Sequence, residues 1–286
     1  MRIDVPFDLD FTLCCGQVFR WHKIDGWWYG IVERNVVKIR QYGGELEFGG
    51  VDFDFVTHYF GLDDDLAQIS NCINRDAFIR KALHEFRGLR LIRQDPWECL
   101  VSYICATFKN IPAIGSMLNK LSEKFGEQTS FDGMTFYTYP SAEALANASI
   151  AELEKCSLGF RAKYLKAAAQ KILDEKIQLK SLRALPYLDA RDVLVEFPGV
   201  GLKVADCVLL FSLGKTEAFP VDVWVRRIIL NHYADLLPAG LAAKISEQKS
   251  LSNGQYKKLN EWGRSYFGKY AGYAQEYLFH YERTQP

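Results

Sequence analysis

The chain has 286 residues, 49% apolar and 24% charged, enough to bury the cores of two or three packed units. Basic and acidic residues balance at 35 each and the sequence pI is about 6.9, which excludes a broad cationic face that coats nucleic acid. No apolar run reaches the length of a membrane span, and Met1-Arg2-Ile3-Asp4 lacks a signal peptide's apolar region, so an intracellular place without a membrane partner is expected, cytoplasm and nucleoid or nucleus.

The first elements read as antiparallel sheet. Gln17–His22 alternates and is aromatic, Asp25-Gly26 signals a tight turn, and strands follow at 27–32, 36–40 and 46–48, with Gly43-Gly44 as a further turn. From Asp52 the pattern turns helical. Helices are predicted at 76–86, 96–107, 111–125, 141–146, 150–156, 161–175, 189–196, 202–213, 223–233, 238–246 and 254–281, the last broken at Gly263 or Gly272. Ser141 reads as an N-cap, and Asp189 as a cap for the helix after it. The fold class is α+β: an N-terminal antiparallel β domain, then a mostly α-helical two-lobed body carrying a helix-hairpin-helix. The expected division is 1–88 for the β domain, 89–108 with 240–286 for a helical domain that contributes to a pocket, and 109–239 for a helical domain holding the hairpin at 189–213.

The seven cysteines, Cys14, Cys15, Cys72, Cys99, Cys105, Cys156 and Cys207, are odd in number and lie in apolar contexts, which suits reduced core thiols. None lies after Cys207 and no pair has C-x-x-C spacing, so no iron–sulfur cluster is expected. The histidines, His22, His58, His84, His232 and His280, are dispersed, and no metal site is expected from them.

The informative stretch is Val193–Cys207. An apolar helix runs into Pro198-Gly199-Val200-Gly201, and a second helix begins at once. Pro198 ends the first helix because it has no amide to donate. Gly199 and Gly201 allow tight turns and close approach of another backbone. The amides that open the second helix have no internal partners, and with the helix dipole they suit a phosphate. An ordinary helix–turn–helix corner would show the same glycines. Two further residues favour chemistry. Lys203 stands in the first turn, where the dipole should depress its pKa and help it attack as a neutral amine. Asp222, in Phe219-Pro220-Val221-Asp222, follows a helix about 18 Å long by a segment that spans roughly 27 Å when extended, so it can return beside Lys203. It also reads as a helix cap, and the two roles are compatible. Cys207 lies one turn beyond Lys203 on the same face.

The segment Phe197–Asp206, followed by Pro220-Val221-Asp222-Val223, resembles the helix-hairpin-helix glycosylase superfamily, and within it the 8-oxoguanine DNA glycosylase/lyases. Cys15–Trp21, Asp95–Leu100, Leu158–Tyr164 and Tyr273–Phe279 extend the resemblance over most of the chain. What it implies is a monomeric enzyme that acts on double-stranded DNA containing an oxidised purine. Lys203 would attack the sugar C1′ and form a Schiff base, and Asp222 would balance the charge developing on the sugar. Cys207 and Phe279 would sandwich the extruded base, Gln275 would read its Watson–Crick edge, and the Gly16 carbonyl would accept the N7 proton. Gly199, Gly201, Phe108, Asn110, Phe160, Arg161 and Trp224 would meet DNA. No cofactor is implied, although hairpins of this family can hold a structural cation.

The sequence departs from the family pattern at the DNA face. Phe108 stands where an asparagine fills the gap left by the extruded base, Ala113 replaces an arginine that reads the opposite cytosine, Phe160 replaces a tyrosine and Trp224 a histidine. Arg161 is left as the reader of the opposite base. The alternatives are a monofunctional alkylpurine or adenine glycosylase and a non-catalytic hairpin that binds DNA. The first class usually lacks the hairpin lysine, and the second needs neither Lys203 nor Asp222.

Overall fold

The structure, a computed structural model, describes residues 1–285. A short helix α1 (Leu9–Cys14) precedes four antiparallel strands, β1 (Trp21–Ile24), β2 (Trp27–Val32), β3 (Asn35–Tyr42) and β4 (Glu45–Gly49), in that order across the sheet. All three connections are two-residue hairpins. Asp25 and Gly26 both take positive φ, 48° and 80°, the geometry that suits the twist of the flanking strands. Period-two alternation turns Trp28, Val32, Val37, Ile39 and Leu46 inward, where Leu9 and Leu13 of α1 and Val56 of α2 (Phe53–Tyr59) close the core.

The strand expected from Gln17 begins only at Trp21. Gln17 is fully buried and braces the chain instead. Its Nε2 donates to the Thr12 and Arg90 carbonyls at 2.9 and 2.8 Å, and its Oε1 accepts the Ile92 amide at 2.7 Å. A side chain that ties α1 to the distant segment Arg90–Ile92 holds Cys15–Arg20 out of the ladder.

The body consists of α3 (Leu66–Ile73), α4 (Ala77–Glu85), α5 (Pro96–Ala106), α6 (Ile111–Phe125), α7 (Ala142–Asn147), α8 (Ile150–Glu154), α9 (Arg161–Asp174), α10 (Tyr187–Val195), α11 (Leu202–Ser212), α12 (Val223–His232), α13 (Leu241–Ser246), α14 (Asn253–Phe267) and α15 (Ala271–Thr284). A second hairpin, β5 (Gln128–Phe131) with β6 (Met134–Tyr137), lies between α6 and α7, where sequence periodicity gave no strand. Its turn, Asp132-Gly133, docks on the first sheet through the Asp132–Lys38 ion pair.

Two expectations are corrected. Helix α10 starts at Tyr187 after Pro186, so Asp189 sits inside the first turn and does not cap it. The break between α14 and α15 falls at Gly268, with φ 72°, and not at Gly263 or Gly272. Those two glycines are close-packing sites: a Cβ on Gly263 would lie 2.3 Å from the Phe219 ring, and one on Gly272 2.1 Å from Leu210. Ile69, Ile73 and Ile79 of α3 and α4 join the single core shared by both helical lobes, and these helices pack on α15.

Candidate active site

The hairpin turn places its two glycines for different reasons. Gly199 has φ 81°, and a Cβ there would lie 2.6 Å from the Tyr164 Cβ, so both conformation and space demand glycine. Gly201 has an ordinary extended backbone, φ −90°, and a Cβ would meet open space. Its use is therefore the access it leaves to the start of α11, where no side chain caps the helix. The first-turn amides have no capping side chain and lie at the positive end of the dipole.

Lys203 follows in that first turn. Its stem is half-buried, and its Nζ stands 5.1 Å from the centre of the Tyr103 ring, a cation–π distance. Burial works against its charge, but Cys207, Asp222 and Glu276 outweigh it, and the ammonium is held above its ordinary range. The expectation of a depressed pKa is corrected: nearby acidic groups outweigh burial. Burial pushes the Cys207 thiol up to about 12 against the pull of Lys203, so at neutral pH it is a neutral, polarisable surface.

Asp222 caps α12. Its Oδ1 accepts the Trp224 and Val225 amides at 2.9 and 2.8 Å, which fixes the carboxylate's direction while its other oxygen takes no part in the cap. Lys203, Cys207 and Asp222 line one cavity of about 640 Å³, together with Gly16, Phe108, Asn110, Gly199, Gly201, Trp224, Gln275 and Phe279. Gly16 takes φ 110°, and a Cβ would lie 3.1 Å from Ile111 and 3.2 Å from Phe279. Gln275 is buried, and its Oε1 has no partner in the protein. A buried acceptor left open towards a cavity is a ready contact for a donor on a ligand. The arrangement offers an amine, a carboxylate, a thiol face opposite an aromatic ring, and an amide edge.

Two segments of the chain match family profiles: residues 2–100 the N-terminal domain of 8-oxoguanine DNA glycosylase, and residues 101–236 the HhH-GPD superfamily of base excision DNA repair proteins. The chain belongs to the 8-oxoguanine DNA glycosylase family. It is 30% identical to the probable N-glycosylase/DNA lyase of Methanothermobacter thermautotrophicus, over 99% of this chain and 96% of that protein. It is 31% identical to the N-glycosylase/DNA lyase OGG1 of Arabidopsis thaliana, over 95% and 76%. The Clostridium acetobutylicum 8-oxoguanine glycosylase/lyase, in complex with double-stranded DNA containing cytosine opposite 8-oxoguanine, superimposes with a TM-score of 0.87 at 32% identity, over 99% of both chains.

The glycosylase's DNA-facing candidates fall into two groups. Phe108 is 90% exposed and has φ 56°, a conformation that costs a bulky residue about 1–3 kcal/mol. Asn110 caps α6 through the Ala113 amide at 3.0 Å. Phe160 is half-exposed beside Tyr164, and Trp224 is half-buried with the Arg227 guanidinium 4.8 Å above its ring. Arg161 is the exception. It is buried, not presented to DNA: its Nε donates to the Thr107 carbonyl at 3.1 Å, Nη1 donates to Leu158, and Nη2 also donates to Thr107. In this conformation it braces the residue before Phe108 and reads nothing. Neither Arg161 nor Phe160 lines the catalytic cavity.

Sequence reasoning passed over Tyr103, Glu276 and Arg283, which also line the cavity. Tyr103 and Glu276 read as apolar-face and helix residues, and no short motif marks them. The position of Glu276 directly after Gln275 was the available signal.

Proposed function

We propose that the chain is a bifunctional DNA N-glycosylase/AP lyase that extrudes 8-oxoguanine from duplex DNA and excises it through a Schiff base on Lys203. The observation that carries this reading is that Lys203, Asp222 and Cys207 share one cavity that the two hairpin glycines, Gly199 and Gly201, also line. Open amides at the start of α11 suit a phosphate, so the duplex backbone would be held where an extruded nucleotide reaches the amine. Extrusion costs a few kcal/mol, which stacking between Cys207 and Phe279 and edge contacts to Gln275 and the Gly16 carbonyl would offset.

In the reaction, the neutral Lys203 amine gives its electron pair to C1′ as the C1′–N9 bond breaks, and the base leaves with that bond's electrons. Asp222, its direction fixed by the cap, balances the positive charge on the sugar. A proton then passes from nitrogen to O4′ as the C1′–O4′ bond breaks and the nitrogen electron pair closes the imine; this acidifies the C2′ proton, and its loss expels the 3′ phosphate, the lyase step. The chemistry needs no cofactor. The Pro198, Gly199 and Val200 carbonyls accept no backbone hydrogen bond, so they are the groups that would hold a structural cation against a phosphate. Among the described residues no helix is long and apolar enough to cross a membrane. A monomer at work on intracellular DNA is the setting this reading requires.

Borohydride added during the reaction with an 8-oxoguanine duplex tests the reading. The wild-type protein should be trapped covalently. Lys203→Gln should lose trapping, base release and nicking while it still binds the duplex. Trapping that survives in Lys203→Gln would refute the assignment of the nucleophile.

A further inference from the structure

The cavity contains a second acid that the mechanism above does not use. Glu276 of α15 is 2% exposed, and its Oε1 has no hydrogen-bond partner in the protein. The groups that face it come from five elements. Cys15, before β1, is tied to the Thr12 carbonyl and the Gln17 amide. Arg283, two turns along α15, donates to the Cys14 carbonyl at 2.8 Å. Lys203 and Cys207 of α11, Tyr103 of α5 and Asp222 at the start of α12 complete the set.

A nearby carboxylate shows what a structural buried acid looks like in this fold. Asp206, next to Cys207, accepts the Tyr187 and Tyr256 hydroxyls at 2.6 and 2.5 Å and the Asn260 amide at 3.0 Å. Both of its oxygens are used within the protein. Glu276 is as deeply buried, keeps an oxygen free, and borders the reaction cavity. A half-satisfied buried acid is costly for stability, and costs of that kind gather at sites of function.

Lys203 has to lose a proton before it can attack. Asp222 is a poor store for that proton, because its charge is required by the sugar and its Oδ1 is committed to two amides. We infer that Glu276 is the acceptor of the Lys203 proton, by way of water in the cavity that both side chains line, and so sets the acid limit of the reaction. This rests on the reading of Lys203 as the nucleophile. In the step the ammonium N–H bond breaks, its electron pair stays on nitrogen, and the proton forms an O–H bond on the Glu276 carboxylate. The neutral amine then attacks C1′, and the protonated acid is available to the departing base. Burial, with Asp222 adding to it, pushes the Glu276 carboxyl up to about 7 against the pull of Cys15, Arg283 and Lys203. A group poised there can take up and return a proton at neutral pH.

The test is single-turnover base release as a function of pH, with Glu276→Gln beside the wild type. The wild-type rate should fall on an acid limb centred near neutral pH. The variant should be slower by roughly tenfold to a hundredfold at neutral pH, recover as the pH rises towards that of the free amine, and bind the damaged duplex nearly as well as the wild type. An unchanged limb in Glu276→Gln overturns the inference. So does a loss of duplex binding equal at every pH, which would make Glu276 a contact to the base. The wild-type profile alone decides if the variant does not fold, since the absence of a limb between pH 6 and 8 is also contradictory. Failure of the nucleophile reading is distinguishable, because the wild type would then give no borohydride adduct on Lys203 at any pH.

Discussion

The wall of the cavity and its rim are built in opposite ways. On the wall every functional group is fixed by something else: Asp222 by two amides, the Lys203 helix by the packing of α11 on α5 and α10, and Gly199 by the Tyr164 ring against it. On the rim, Phe108 stands almost fully exposed in a left-handed conformation, and the arginine expected to read DNA is folded underneath, holding the Thr107 carbonyl. The difference teaches where each task resides. Chemistry depends on groups already in place before DNA arrives. On the proposed reading, Arg161 would have to release Thr107 before it could donate to a base of the opposite strand.

The sharpest way to break that comparison is Asp222→Asn. An asparagine still caps α12, so stability should change little, whereas base release should slow by about a hundred- to a thousandfold because an amide cannot balance a cationic sugar. Near-normal single-turnover rates with unchanged folding would reduce Asp222 to a cap and leave the wall without its electrostatic partner.

A smaller effect concerns the rim. An aromatic filler stacks on any base, and one arginine discriminates by about 1–3 kcal/mol at most. Release of 8-oxoguanine should therefore proceed opposite cytosine and, within roughly a hundredfold, opposite the other three bases. Phe108→Ala should alter that profile, and unchanged relative rates opposite the four bases would remove Phe108 from the interface. A preference for cytosine well beyond this range would mean that groups besides Arg161 read the opposite base.

The smallest effect is on stability, and it separates the two acids of the wall. The Glu276 carboxyl sits at about 7 in the folded chain against an ordinary value of 4.5, so its stability contribution is greatest below the unfolded value and is lost as pH rises through the folded one. Glu276→Gln should be close to neutral in stability at acid pH. Above pH 7 it should stabilise the fold by on the order of 1–3 kcal/mol, read as a higher melting temperature. A destabilised variant at alkaline pH would mean that the carboxylate makes contacts which an amide cannot keep.

What the sequence made legible follows the range of the interactions. The hairpin, Lys203, Cys207 and the Asp222 cap are local or one crossing apart, and glycine, proline and capping chemistry mark them directly. The first sheet was legible through its two-residue turns. What escaped depends on contacts far apart in the chain. Gln17 reads as a strand residue, but its side chain reaches Arg90 and Ile92. Arg161 reads as a surface base, and only the Thr107 carbonyl, 54 positions away, shows why it is buried. The β5–β6 hairpin had a signal in Asp132-Gly133 that its short, half-exposed strands did not reinforce. The pKa of Lys203 was read from burial and the dipole of its own helix, whereas Cys207 one turn on, with Asp222 and Glu276 from other helices, sets its direction.

The central claim is that a single amine on the wall forms the covalent intermediate. The most direct measurement is mass mapping of the borohydride-reduced protein–DNA adduct formed on an 8-oxoguanine duplex. The account predicts one modified peptide, with the sugar remnant on Lys203. An adduct on any other lysine or on the N-terminal amine, or base release with no adduct at all, would contradict it.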